Sequence, residues 1–193
     1  MHRQELLKLL GLHTTPFNNE AGYVARTRRF VAQHTNCFER DLWPGHVTGS
    51  AWVVNPARDK VLLLHHGKHD HWFQPGGHAD GDADILRVAL RETHEETGLP
   101  AEAIRLVDGS LFDVDIHTIP ASARGPQHVH FDMRFLVEID DRLAVPGSDE
   151  SHDVLWVPLE AVTRFNNNLS TYRMLEKTRR MRTHQLPASS TAY

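Results

Sequence analysis

The chain reads as an α/β sandwich, a mixed β-sheet between helices, and three observations carry that reading. Segments of strand composition alternate with segments of helical period along its 193 residues, the pattern of a sheet covered by helices and not of a bundle or barrel. Residues 127–138 alternate with a period of two. Val129, Phe131, Met133 and Phe135 fall on one side and His128, His130, Asp132 and Arg134 on the other, as in a strand with one apolar face. Between Gln74 and Leu99 a glycine turn leads into one short helix whose ends are both marked. Asp82 or Asp84 can cap its start, Gly98 supplies the left-handed residue at its end, and Pro100 bars continuation.

In chain order, residues 3–12 and about 16–34 read as helices. The second opens on a Thr15 cap with Pro16 at the first helical position and repeats Tyr23, Val24, Phe30 and Val31 at helical spacing. Its Arg26, Arg28 and Arg29 read as a solvated basic face. Residues 36–45 form a loop that holds Cys37, a small packed side chain with no base beside it. Residues 47–54 have strand composition, 55–59 make a turn, and 60–64 are a continuous apolar run expected to be buried on both faces. The polar loop that follows carries His65, His66, His69 and His71, with His78 beyond it. No cysteine accompanies them and their spacing fits no closed zinc site, so substrate contact or solvation is the expectation. Further on, 104–107, 111–119 and 153–157 join 127–138 as strands, 159–165 reads as a helical turn and 169–182 as a last amphipathic helix. This divides the chain into a helical extension over 1–35, a main domain over 36–185 and a mobile tail over 186–193.

A hydrophobic content of 40% suffices for a sizeable core at this length. The single cysteine excludes an intrachain disulfide, and no long apolar span or secretory signal stands out, so the cytoplasm is the expected location. A formal charge of −4 gives no general pull toward nucleic acid or anionic membrane. The 15 histidines make the charge sensitive to mildly acidic pH.

The densest chemistry lies in Arg91-Glu92-Thr93-His94-Glu95-Glu96-Thr97-Gly98-Leu99. Glu92, Glu95 and Glu96 stand at i, i+3 and i+4, so they share one helix face and repel one another. A hard divalent cation relieves that repulsion, because Mg²⁺ and Mn²⁺ take carboxylate, carbonyl and water oxygens and are often shared with a substrate phosphate. Pro75-Gly76-Gly77 turns the chain and leaves backbone carbonyls free to join the ion. The opposite helix face, with Ile85, Ala89 and Thr93 in one row and Leu86 and Leu90 beside it, reads as core. The polar row His128, His130, Asp132 and Arg134 is either a solvated face or, with His78, the lining of a phosphate cleft in which Arg134 grips bidentately. Trp52, Phe73 and Phe131 are assigned to the core before base stacking.

In order and spacing this stretch resembles the Nudix box, G-x5-E-x7-R-E-U-x-E-E-x-G-U, with U a bulky apolar residue. With Gly77 as the first glycine, Arg91, Glu92, Glu95, Glu96, Gly98 and Leu99 fall in register. Ala83 stands where the pattern has its first Glu, flanked by Asp82 and Asp84, and Thr93 replaces an apolar residue. GHVTGSAWVV, LLLHH, WFQPGGHAD and ESHDVLWVPL also resemble a prokaryotic branch of the Nudix hydrolases, so the likeness covers about 36–165. It implies a Nudix-type α/β/α sandwich and metal-dependent hydrolysis of a nucleoside diphosphate linked to another moiety. The implied cofactor is Mg²⁺ or Mn²⁺, held by Glu92, Glu95, Glu96 and the Gly77 carbonyl, with Arg91 orienting the carboxylates. The general base would be a box glutamate or, outside the box, Glu150 or His152. The implied partner is a small-molecule nucleotide or other diphosphate, with no nucleic acid and no membrane, and with a homodimer left open. Neither the downstream proline of the ADP-ribose subgroup nor the tyrosine of the dinucleoside polyphosphate subgroup stands at its spacing. Two rival readings share the box. A non-catalytic nucleotide sensor would not need the intact Glu92, Glu95 and Glu96, and an isopentenyl-diphosphate isomerase would need a cysteine near the strand before the box, where Cys37 does not lie.

Overall fold

Strand β1 (Gly45–Val54) is buried along its whole length, as a strand must be when it has neighbours on both edges and helices on both faces. In the computed structural model, which describes residues 2–66, 71–122, 125–148 and 151–185, it lies at the centre of one mixed sheet. It runs parallel to β7 (His128–Glu138), from Gly45 opposite Val129 to Val54 opposite Glu138. All other pairings are antiparallel. β2 (Lys60–His66) and the short β4 (Gly76–His78) pair with β1. β3 (His71–Phe73) and β8 (Ser151–Pro158) pair with β2. β5 (Arg105–Leu106) and β6 (Asp113–Ile119) pair with β7. Among the described residues the sheet has eight strands.

The alternation of β1 and β7 sends side chains into two separate layers. On one side α1 (Gln4–Leu12), α2 (Asn18–Gln33) and α3 (Ile85–Thr97) place Leu6, Leu10, Phe30, Val31, Ile85 and Val88 against Val47, Phe131, Met133 and Phe135. On the other, Met174 and Leu175 of α4 (Leu169–Gln185) pack on Trp52, Val54, Leu63 and Leu136. This is the α/β/α sandwich expected from the sequence. The run Val61–Leu64 is buried throughout, and Trp52 and Phe131 are core residues. Cys37 is buried as well, and burial pushes its thiol up to about 11, so it is no nucleophile at neutral pH. Among the described residues no helix is long and apolar enough to cross a membrane. The segment 186–193 lies outside the described residues.

The first 35 residues share this core. Leu6 and Leu10 are closed off from solvent, and Phe30 stacks on Phe131 at 4.0 Å between centroids, 12° from parallel. Arg26, Arg28 and Arg29 are exposed, as expected of a solvated face. α2 begins at Asn18 and not at Pro16, because Phe17 is extended (φ −97°, ψ 114°) and itself stands at the N-cap; the Thr15 hydroxyl just before it donates to Glu20 and accepts from the Phe17 N–H. Glu20 has no accessible surface. It accepts from the Val114 N–H of β6 at 3.1 Å, from His13 at 2.8 Å and from Lys177 of α4 at 2.6 Å, and so ties three elements together around a sheet edge.

Burial alone would raise the Glu20 carboxyl, but the bonds from His13, Lys177 and Thr15 overcome it and hold the group down at about 2, against 4.5 for a free Glu. A carboxyl lowered in the folded state adds stability that is complete above its unfolded value and is lost as pH falls toward the folded one. Glu20→Gln should therefore cost about 3 kcal/mol at pH 7, a melting-temperature drop of roughly 6–12 °C. In thermal melts at a series of pH values, the gap from wild type should narrow as pH falls from about 4.5 toward 2. A gap independent of pH would show that Glu20 acts through shape alone.

Candidate active site

The site is assembled by β4 and α3. Asp84 caps α3 by accepting from the Arg87 N–H at 3.0 Å, and Asp82 accepts from the Asp84 N–H and from the Arg87 guanidinium. The two carboxylates that flank Ala83 thus secure the helix start. Gly98, at φ 68°, closes the other end in the left-handed conformation. Ile85, Val88, Ala89 and Thr93 form the buried face. Thr93 satisfies its hydroxyl by donating to the Ala89 carbonyl at 2.7 Å, which is how a polar residue fits the apolar position.

The three glutamates are held in distinct ways. Glu96 is buried and accepts from the Gly76 N–H at 2.8 Å. Glu92 lies against Gly77, where a Cβ would come within 2.5 and 2.6 Å of its two carboxylate oxygens and push the carboxylate aside. Glu95 is the most open, its side chain 53% exposed. Arg91 joins them. Its Nη1 stands 2.8 Å from Glu92 Oε1 and 3.0 Å from Glu95 Oε2, and its Nη2 donates to the His78 carbonyl at 3.1 Å. Burial, with the charges of Glu96 and Glu95 adding, pushes the Glu92 carboxyl up to about 7 against the pull of Arg91. An all-oxygen donor set of clustered carboxylates that repel one another, cradled on a glycine backbone, fits a hard divalent cation.

The other expected site residues lie on the far side of β4. Strand alternation turns Gly77 toward α3 and turns Gly76 and His78 the other way, Gly76 meeting Ser50 of β1. The ring of His78 sits 5.1 Å from those of His46 and His130, and the Nε2 atoms of His128 and His130 are 3.2 Å apart. The row His128, His130, Asp132 and Arg134 therefore does share one side with His78, but its inner half is roofed by α4. Asp132 accepts from Thr48 at 3.0 Å and from Ser50 at 2.9 Å. Arg134 is closed to solvent, its Nε 2.8 Å from Asp132, Nη2 3.2 Å from Asp115 and Nη1 3.4 Å from Asp113. Burial opposes its charge, and the three carboxylates more than restore it, raising its pKa. The expected bidentate hold on a phosphate is corrected on this point: every guanidinium nitrogen is committed to a carboxylate. Arg173 of α4 closes the roof with two 2.7 Å bonds to Asp113. Glu150 lies outside the described residues. His46 was not foreseen, because no local pattern marks it.

The sequence model of the NUDIX domain matches residues 45–178. A probable DHNTP pyrophosphohydrolase of Lactococcus lactis subsp. cremoris is 32% identical over 87 residues, covering 45% of this chain and 51% of that protein. The asymmetrical bis(5'-nucleosyl)-tetraphosphatase of Mus musculus is 31% identical over 101 residues, covering 52% and 63%. The chain thus spans between half and two thirds of the length of these relatives. Among solved structures, the E. coli dihydroneopterin triphosphate pyrophosphohydrolase aligns with a TM-score of 0.55 at 16% identity over 68% of this chain and 92% of that one. The C. elegans Ap4A hydrolase binary complex aligns with a TM-score of 0.54 at 21% identity over 72% and 98%. At these identities the likeness concerns the fold.

Gly77→Ala should displace the Glu92 carboxylate and weaken Mn²⁺ binding about 10- to 100-fold, the range typical of a disturbed metal shell, while far-UV circular dichroism stays that of wild type. Calorimetric titration with Mn²⁺ measures it. Undiminished affinity would mean that the contact of Glu92 with β4 plays no part in holding the ion.

Proposed function

The chain belongs to the Nudix domain family, and from that premise we propose that it is a metal-dependent pyrophosphohydrolase which cleaves the diphosphate linkage of a nucleotide joined to another moiety. One observation carries this reading: Glu92 lies on Gly77, Glu96 accepts from the Gly76 N–H and Arg91 ties Glu95 to Glu92, with Glu92 pushed up to about 7, an arrangement that favours a cation. Glu92, Glu95, Glu96 and the Gly77 carbonyl are the residues that would hold Mg²⁺ or Mn²⁺. When bound, such an ion neutralises diphosphate charge and acidifies a water.

The remaining work falls to the chain's own side chains. Arg91 fixes Glu92 and Glu95 relative to one another and to the His78 carbonyl, so the donor set is positioned before substrate arrives. The Gly76 N–H fixes Glu96. Glu95, the most exposed of the three, takes the proton of the attacking water, and Glu150 is the alternative base. The names of the relatives, DHNTP pyrophosphohydrolase and bis(5'-nucleosyl)-tetraphosphatase, support a nucleotide-like polyphosphate as substrate. The WFQPGGHAD segment and the bacterial relative support a prokaryotic branch of the family, and the lone cysteine suits a reducing cytoplasm.

With Mg²⁺ present, a panel containing dihydroneopterin triphosphate, a dinucleoside tetraphosphate, ADP-ribose and nucleoside triphosphates should yield at least one substrate that releases a nucleoside monophosphate, phosphate or pyrophosphate. On that substrate Glu96→Gln should lower kcat by about 10²- to 10³-fold, as loss of a preorganised electrostatic group does. Wild-type turnover in Glu96→Gln would remove the α3 carboxylates from the mechanism, and a silent panel would favour a nucleotide sensor.

A further inference from the structure

We propose that His46, His78 and His130 form a second metal site, one that takes a borderline transition-metal ion of the Zn²⁺ class, on the side of β4 opposite the α3 carboxylates. The three residues come from separate strands that the sheet brings together: His46 of β1 is the register partner of His130 of β7, and His78 of β4 pairs beside them opposite Thr48. One ring nitrogen from each lies within 4.8 Å of the others, the one such grouping among the described residues. A tetrahedral centre with Zn–N bonds of about 2.0–2.1 Å would bring them to about 3.4 Å, a contraction shared by three side chains.

His46 supplies the independent sign of a ligand. It is 1% exposed, and neither of its ring nitrogens has a partner in good hydrogen-bond geometry; the Leu42 backbone acts on the ring only as a minor influence favouring its charged form. Buried polar atoms in folded proteins nearly always have partners, and an ion at the centre of the cluster would be the partner here. His130 is held in place by His128, whose Nε2 lies 3.2 Å from its Nε2 and whose Nδ1 lies 2.9 Å from the Pro126 carbonyl. A histidine anchored through a ring nitrogen to a neighbour is the usual arrangement around a bound metal.

Ligand chemistry names the class of ion. Imidazole is the commonest metal ligand among side chains. Nitrogen donors favour zinc, cobalt or nickel, whereas the oxygen donors on α3 favour magnesium or manganese, so the two sites sort their ions by ligand chemistry. His78 and His130 are only half-buried, which leaves the centre open on one side, as in three-ligand sites that keep a position for water or another ligand. This assignment does not depend on the hydrolase reading.

The test uses the full chain freed of metal with a chelator, with Co²⁺ as the probe and excess Mg²⁺ to fill the oxygen site. Wild type should take up one equivalent of Co²⁺, with the intense visible absorption of a four- or five-coordinate nitrogen site, and Zn²⁺ should displace it. The double variant Glu92→Gln/Glu96→Gln should keep that spectrum, while His78→Gln should weaken uptake at least tenfold. X-ray absorption on wild type loaded with zinc needs no variant, and it should show scattering from imidazole ligands. Absence of uptake under Mg²⁺, loss of the spectrum in the glutamine double variant with retention in His78→Gln, or a zinc spectrum without imidazole scattering would each overturn the assignment.

Discussion

The approach of α3 to the sheet is the constraint on which the site depends. Gly49 permits it, and Gly77 leaves the Glu92 carboxylate its place. At Gly49 of β1 a Cβ would meet the Ile85 carbonyl at 2.9 Å, and at Gly77 of β4 it would collide with the Glu92 carboxylate. Ile85, Val88 and Ala89 hold the helix down by burial, and the helix in turn presses Glu92 and Glu96 onto the backbone of β4. Repulsion between the carboxylates is thereby retained in the fold, with Arg91 bonded directly to Glu92 and Glu95. Such a cluster stays together because the core on the other face of α3 outweighs it, and it gains by meeting a cation.

The opposite side of the sheet solves a different electrostatic problem. Arg134, Arg173 and Lys177 face Asp113, Asp115, Asp132 and Glu20 in a network largely closed to water. Removing any one partner would leave an uncompensated buried charge, so the network makes the docking of α4 specific. It also joins α2, β6 and α4 into one unit through Glu20, which is why the first helices are part of the fold and not an appendage. The histidine cluster begins where that network ends, beyond Asp132 and Asp115, at the end of the sheet near Gly45 and His128.

Much of this was legible in the sequence wherever the information is local. The i, i+3, i+4 spacing of Glu92, Glu95 and Glu96, the Gly98 terminator and the two-residue period of 128–135 each encode a backbone geometry directly, and each is found as read. Nonlocal contacts were not legible. The two-residue period of β7 puts its polar row on one side, yet nothing in 128–134 announces that α4, some forty residues on, roofs Asp132 and Arg134. Thr15-Pro16 looks like a helix start, but the extended backbone of Phe17 delays the helix to Asn18. The spacing of His65, His66, His69 and His71 speaks against zinc only within their own loop. His46, His78 and His130 are joined only by strand register, which a spacing rule along the chain does not see.

The most direct measurement is a Mn²⁺ titration followed by electron paramagnetic resonance on wild type and on the Glu92→Gln/Glu96→Gln double variant. If the α3 carboxylates are a divalent-cation platform, wild type quenches the free-ion signal stoichiometrically and saturably, added Mg²⁺ restores it, and the double variant leaves it untouched. Equal quenching by both proteins would contradict the platform and place the ion elsewhere in the chain.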